Sequence, residues 1–216
     1  MRVGIIGAGN VGSALGHRLA ASGHDIVFGV REPERGAAAV KGGVPGRARV
    51  ASVSDAVRGS NAVILATPWG GVADALREAG AGRGELDGMT LIDATNPLGP
   101  GFSLDVGPNG ASAAERIQAL APKSHVVKAF NTTGANNMLD PVYAGAPTVM
   151  FYAGDDAGAK RTTHQLVSDV GFEAVDAGPL TRARELEHLA MLWIALAMGI
   201  GVPAMGREVA FRLVRR

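Results

Sequence analysis

The chain has 216 residues, 47% of them hydrophobic and 19% charged, with a formal net charge of +1. That length fits one generous α/β domain or one domain with a short appendage, and the apolar content supports a buried core and excludes extended disorder. A near-neutral charge argues against a nucleic-acid partner, and the absence of cysteine excludes disulfides, thiolate nucleophiles and cysteine-ligated metals.

At the N-terminus, Met1-Arg2 lead directly into an apolar strand over Val3–Ile6, without a signal-peptide core or cleavage site, so a cytoplasmic protein is expected. Apolar spacing at Val11, Leu15 and Leu19 predicts a helix over Asn10–Ser22, stopped by Gly23. Asp25–Val30 reads as a second strand and closes a βαβ unit. Arg47–Val53 reads as a weak strand, with Ser54 and Asp55 capping a short helix to Arg58. Further strands are predicted over Asn61–Thr67, Met89–Ala94, His125–Phe130, Thr148–Ala153 and Phe172–Asp176. Helices are predicted over Val72–Ala79, Ser112–Leu120 and Ala157–Val170, with a Gly- and Pro-rich loop over residues 97–112. This alternation predicts an α/β fold, a Rossmann-type doubly wound parallel sheet over residues 1–178. Residues 179–216 read as C-terminal helices packing on the same domain or on a dimer partner. Within them Leu189–Gly206 carries no charge, but Gly199, Gly201, Pro203 and Gly206 interrupt its second half. A helix buried in the core or in an interface is expected there, not a membrane span.

The first turn reads Gly7-Ala8-Gly9-Asn10-Val11-Gly12. A GxGxxG run is weak by itself; here it follows a strand and opens a helix, which is the context a dinucleotide site requires. Gly7 is expected to make the tight turn, Gly9 to admit the pyrophosphate, and Gly12 to let helix and strand pack closely. The helix N-terminus would offer the phosphates free N–H groups. The second strand ends in Gly29-Val30-Arg31, where an NAD site normally places a carboxylate. Arg31 and Arg35 stand one helical turn apart and suit a 2′-phosphate, which favours NADP(H) over NAD. The alternative is a solvated helix start with Arg31 paired to Glu32 or Glu34.

Ligands of open α/β sheets lie at the carboxyl ends of strands. Thr67-Pro68-Trp69, Thr95-Asn96-Pro97-Leu98 and Phe130-Asn131-Thr132-Thr133-Gly134-Ala135 are therefore candidate linings. Each has a second reading: turn chemistry for the first two, and helix capping by Thr132 or Thr133 for the third. Carbonyl reduction needs a proton donor, commonly Lys, His or Tyr. The candidates are few: Lys160 with His164 on a surface-looking helix and Lys128 inside a strand are poorly placed, and His188 in the late helix stays open as a donor. A hydride acceptor of the flavin-like type, with little need for a protein acid, suits these residues better. No metal site is expected.

Taken in order, GIIGAGNVGSALGHRLAASGHDIVFGVREPER, VILATPWGGVADAL, DATNPL, VVKAFNTTGANNM and YAGDDAGAK with GFEAVDAGPLTRARELEHLAMLWI resemble the NADPH-dependent coenzyme F420 reductases. The N-terminal domain of the STEAP-type metalloreductases has similar blocks. The resemblance implies hydride transfer between NADP(H) and a deazaflavin, coenzyme F420, as co-substrate. It implies that Ala8, Gly9, Asn10 and Val11 hold the pyrophosphate, and that Val30, Arg31 and Arg35 hold the 2′-phosphate. Pro68 and Ala135 would line the nicotinamide half, and Asn131 and Thr133 would face the acceptor. It also implies a homodimer, with Leu189, Leu192, Trp193, Leu196 and Met198 at the interface or in the acceptor pocket. The chain departs from the family at Val30, where a hydroxyl residue is common, and at Asn131 and Thr133, where archaeal members carry His and Ile. Those two changes bear on the acceptor, so a reductase of a flavin, quinone or metal chelate, or an NADP(H)-binding regulator, stands as the alternative.

Overall fold

A computed structural model describes residues 1–41 and 46–216. The opening unit is β1 (Arg2–Ile6), α1 (Asn10–Ala21) and β2 (Asp25–Gly29), followed by α2 (Pro33–Lys41), β3 (Ala48–Ala51), α3 (Val53–Val57) and β4 (Ala62–Leu65). Next come α4 (Val72–Glu78), β5 (Thr90–Asp93), α5 (Ala113–Leu120), β6 (His125–Lys128) and α6 (Ala135–Leu139). The hairpin β7 (Val142–Tyr143) and β8 (Ala146–Pro147) leads to β9 (Val149–Gly154), α7 (Ala157–Val170), β10 (Glu173–Gly178) and α8 (Ala183–Met198).

Among the described residues, eight strands form one sheet in the order β10-β9-β6-β5-β4-β1-β2-β3. Leu15 and Leu19 of α1, Met138 of α6, and Leu166 and Val167 of α7 pack with Ile5, Phe28 and Ile64 in one cluster. Val53 and Val57 of α3, Leu76 of α4, Ile117 of α5 and Ala183 of α8 pack with Ile6, Val63 and Leu91 in another. Two such apolar layers make the strands apolar on both faces, as parallel sheets require. The chain folds as an α/β Rossmann-type sheet with a C-terminal helix.

The sheet differs from the expected one in a single pairing: β9 runs antiparallel to β6. A parallel return needs a crossover of a dozen or more residues, usually helical. The five-residue α6 rises only about 7.5 Å, so the chain re-enters the sheet from the end at which it left. The fourteen-residue α7 does span the return, and β10 is parallel to β9.

Two local readings also change. Ser52, not Ser54 or Asp55, caps α3, its Oγ accepting from the Asp55 N–H at 3.1 Å. The S-x-x-D spacing of Ser52 and Asp55 was the available signal. Beyond Met198 the expected helices are absent among the described residues: Gly199, at φ +76°, ends α8 and the tail runs without regular structure. No helix of the described residues is long and apolar enough to cross a membrane.

α8 is fixed to α5 by a two-pronged ion pair, Arg184 Nε and a terminal nitrogen donating to Glu115 at 2.8 and 2.7 Å. Glu115 also completes a capping box with Ser112. The Arg184 guanidinium, with help from Ser112, pulls the Glu115 carboxyl from its ordinary 4.5 down to about 2. A depressed carboxyl contributes stability above its unfolded value and loses it as pH falls through the folded one. Arg184→Met is therefore expected to cost about 1 kcal/mol at pH 7, with the gap to wild type shrinking at pH 3.5. Urea titrations at both pH values check this; an equal gap at both would refute the assignment.

Candidate active site

The turn after β1 is shaped by close approach. Gly7 sits at φ +106°, and a Cβ there would lie 2.6 Å from the Ala66 carbonyl oxygen. At Gly12 a Cβ would meet the Gly7 carbonyl oxygen at 2.1 Å, so only glycine lets α1 start this close to β1. Gly9 is different: nothing stands within 4 Å of its would-be Cβ, which leaves the approach to the turn open. Gly9 caps α1 without a side-chain bond, and no acid occupies the first turn. The N–H groups of Asn10, Val11 and Gly12 have no protein acceptor among the described residues. Ser13 Oγ holds the turn from behind by donating to the Ala8 carbonyl at 3.1 Å. A bare helix N-terminus over an open glycine is a fit for a pyrophosphate.

β1 pairs with β2 on one side and β4 on the other, so the chain order reverses beside this turn, where open α/β sheets bind ligands. The other strand-end candidates lie along the same edge. Half-buried Val30 closes β2, its N–H donating to Ala51 at 3.1 Å. Arg31 is half exposed, and its partner comes from α4: Nε lies 2.8 Å from Glu78 Oε1 and a terminal nitrogen 3.9 Å from Asp74 Oδ2. One edge of the guanidinium faces α4, and the other has no protein partner among the described residues. That free edge, with no carboxylate at Val30, fits a 2′-phosphate. The Arg35 side chain lies outside the described residues.

At the end of β4, Thr67 Oγ1 is buried without a hydrogen-bond partner. Beyond Pro68, Trp69 Nε1 donates to Asp105 Oδ2 at 2.7 Å, and Arg116 lies 4.6 Å above the indole while pairing with Asp105 at 3.2 Å. These bonds, Trp69's first, hold the Asp105 carboxyl below its ordinary range. They also fasten the Gly- and Pro-rich loop to the β4 end.

At the ends of β5 and β6 two asparagines join the loops. Asn96 Nδ2 donates to the Asn131 carbonyl at 2.9 Å, and Asn131 Nδ2 donates to Asn96 Oδ1 and to the Leu186 carbonyl, each at 3.1 Å. Asn131 is 2% exposed, and its Oδ1 has no partner. Phe130 before it is a buried, non-glycine residue held at φ +62°. Such strain persists only where the surroundings fix it, and it clusters at functional sites. Thr132 is buried against Met150, Thr133 is half-buried, and neither caps α6, whose N-cap is Gly134. Pro97 and Ala135 are partly buried or buried beside this pair.

A sequence model described as NADP oxidoreductase, coenzyme F420-dependent, matches residues 2–97. The chain also aligns end to end with the crystal structure of an Arthrobacter sp. FB24 protein assigned as an F420-dependent NADP reductase: 31% identity, TM-score 0.84, all of both chains covered. The chain belongs to this family. It is 26% identical to the F420-dependent NADP reductase of Methanothermobacter marburgensis over 91% of this chain and 92% of that one. It is 31% identical to rat metalloreductase STEAP3 over 87% of this chain and 36% of that one. The chain thus spans less than half the length of the metalloreductases it matches.

In this member of the F420-dependent NADP oxidoreductase family, the sequence offered Lys128 only as a candidate acid and did not single out the carboxylates beneath the site, Asp93 and Glu187. Lys128 is wholly buried, with Nζ 2.9 Å from Asp93 Oδ2, 3.0 Å from Glu187 Oε1 and 2.6 Å from the Thr95 carbonyl. Asp93 Oδ1 accepts from the Thr95 N–H and hydroxyl at 2.8 and 2.7 Å. Glu187 takes the N–H groups of Ala113 and Ala114 at the start of α5. The signal was a lone lysine in the apolar strand HVVKAF opposite the lone aspartate of MTLIDA, since a buried charge requires a partner. Of the acids the sequence offered, Lys128 lies beneath this edge with its ammonium committed to Asp93, Glu187 and the Thr95 carbonyl, and the others are engaged elsewhere. Lys160 pairs with Asp176, His164 with Tyr152, and exposed His188 with the Arg184 carbonyl.

Lys128→Met leaves Asp93 and Glu187 buried and uncompensated. It is expected to cost about 3–5 kcal/mol, measured by urea unfolding. A loss under 1 kcal/mol would mean that the two carboxylates find other partners.

Proposed function

We propose that this chain binds NADP(H) along the C-terminal edge of the sheet and passes hydride between NADPH and a deazaflavin acceptor of the coenzyme F420 type. The observation that carries the reading is the uncapped start of α1 above open Gly9, with the free edge of Arg31 at the end of the neighbouring strand. Asn10, Val11 and Gly12 would donate to the pyrophosphate, and Arg31 would clasp the 2′-phosphate. Thr67, Pro68, Asn96, Pro97 and Ala135 would border the nicotinamide half, and Asn131 and Thr133 the acceptor. The dinucleotide supplies the hydride chemistry; the protein's part is to hold two rings in register and keep water out.

The F420 acceptor is favoured because the chain matches the Methanothermobacter reductase over 92% of that protein's length. The likeness to STEAP3 favours a second reading, reduction of a metal chelate. A homodimer belongs to the same proposal: Leu192, Met198, Ile200, Val202 and Met205 stand exposed along α8 and the tail, an apolar surface of the kind an interface covers. A cytoplasmic location does too.

NADPH absorbance followed with oxidised coenzyme F420, FMN, FAD and ferric chelates tests the reading. Oxidation by F420 alone is expected; turnover with ferric chelates alone would replace the deazaflavin with a metal substrate. Arg31→Glu is expected to raise the KM for NADPH at least about tenfold, the worth of a charge-assisted contact, and that for NADH far less. Equal increases would remove the 2′-phosphate role.

A further inference from the structure

The carboxylates that face Arg31 come from a helix more than forty residues on. α4 buries Val72, Ala75 and Leu76. Asp74 and Glu78 stand on its exposed side, four residues and so about one turn apart. Two like charges at that spacing repel and weaken a helix. The repulsion is relieved where a cation stands against both. Arg31 is such a cation: Nε lies 2.8 Å from Glu78 Oε1 and a terminal nitrogen 3.9 Å from Asp74 Oδ2. Asp74 is shared, since its Oδ1 also accepts from Arg77 Nη1 at 2.7 Å. Glu78 is therefore the nearer partner of Arg31, and Asp74 supports it.

The contact acts on a side chain that would otherwise be loose. The Arg31 side chain is 54% exposed, and an arginine free in solvent must lose rotamer freedom when a ligand takes it. Glu78 removes part of that freedom in advance. It holds the Nε side of the guanidinium against α4, which leaves the terminal nitrogens for an anion in the fork geometry that a phosphate matches.

We infer that Glu78, supported by Asp74, is the positioning residue that sets Arg31 for the 2′-phosphate, so that the choice of NADP(H) over NAD(H) is made partly from α4. The inference rests on the NADP(H) site proposed above and adds a selectivity residue to it. Glu78 acts through Arg31 and not on the nucleotide itself. Its charge works in the opposite sense, because a carboxylate near the subsite disfavours a phosphate. The two effects can be separated. Glu78→Gln keeps an oxygen for the Nε side and removes the charge; Glu78→Met removes both.

The full chain is titrated calorimetrically with 2′,5′-ADP and with 5′-ADP, which differ only in the 2′-phosphate. Glu78→Met is expected to weaken 2′,5′-ADP about threefold, the worth of an exposed ion pair, and to leave 5′-ADP unchanged. Glu78→Gln should bind 2′,5′-ADP at least as tightly as wild type. Once Arg31→Met has been made, adding Glu78→Met should change nothing further, as a residue acting through Arg31 requires. Undiminished or tighter 2′,5′-ADP binding by Glu78→Met overturns the inference. So does an equal loss for 5′-ADP, or a loss that persists without Arg31. Failure of the NADP(H) reading looks different: Arg31→Met alone would then leave 2′,5′-ADP binding unchanged, and the role of Glu78 would fall with it.

Discussion

Lys128 brings a full charge into the middle of the sheet with no atom exposed. Burial alone would push its ammonium down, but Asp93 and Glu187 more than reverse this and hold it above the ordinary lysine range. The three protons of the ammonium have three acceptors, one each on Asp93, Glu187 and the Thr95 backbone. The second carboxylate adds a negative charge, which rests against the first N–H groups of α5, where a helix favours it. A network of this kind gains little over an apolar core of the same volume. What it fixes is arrangement. Thr95 is gripped at its N–H, hydroxyl and carbonyl; Asn96 follows it and binds Asn131; Leu186, next to Glu187, receives the other Asn131 bond. The ends of β5 and β6 and the helix behind them are thus built around a single cation.

The two halves of the site are made by different means. The nucleotide half is backbone: a turn that admits only glycine at Gly7 and Gly12, and a helix start with free N–H groups. Apart from the Arg31 guanidinium, the fit proposed for it depends on conformation rather than on particular side chains, which is why short motifs identify it. The ends of β5 and β6, where the acceptor is proposed to lie, rest on side chains: Asn96, Asn131, Thr133 and Asn137 are each oriented by a carbonyl or an amide. The family match over residues 2–97 takes in the glycine turn, Arg31, Thr67 and Asn96, and stops before the end of β6.

The legible features were those that repeat locally. Period-two and period-3.6 patterns gave nearly every strand and helix, and the glycine spacing gave the turn. Features that depend on distant partners were hidden. The antiparallel entry of β9 follows from the shortness of α6, which has too few residues for its periodicity to register. Arg31 turned to Glu78 on another helix where the sequence suggested its neighbours Glu32 and Glu34. Asn137 carried no signal of its own in the sequence, because the bond that orients it goes to Val209, some seventy residues away. The tail was misread as helix because its composition is apolar, although Gly199, Gly201, Pro203 and Gly206 already argued against one.

The absence of a proton donor at this edge, first noticed as a gap in the sequence, acquires a physical reason. Among the described residues the lysine beside these strand ends is Lys128, and its protons are all committed below the Thr95 peptide. Removing one from that ammonium would leave two buried carboxylates without a counter-charge, a cost no general acid can bear in each turnover. Lys160 and His164 sit beside the C-terminal ends of β9 and β10, strands that run opposite to β6, and so lie at the other edge of the sheet. What remains at the strand ends are amides and hydroxyls, groups that orient a ring without exchanging protons at neutral pH. Such a surface suits a reaction in which hydride passes between two rings and the acceptor has its own site for any proton that follows. The acceptor proposed for this chain is of that kind, and a simple carbonyl substrate is not.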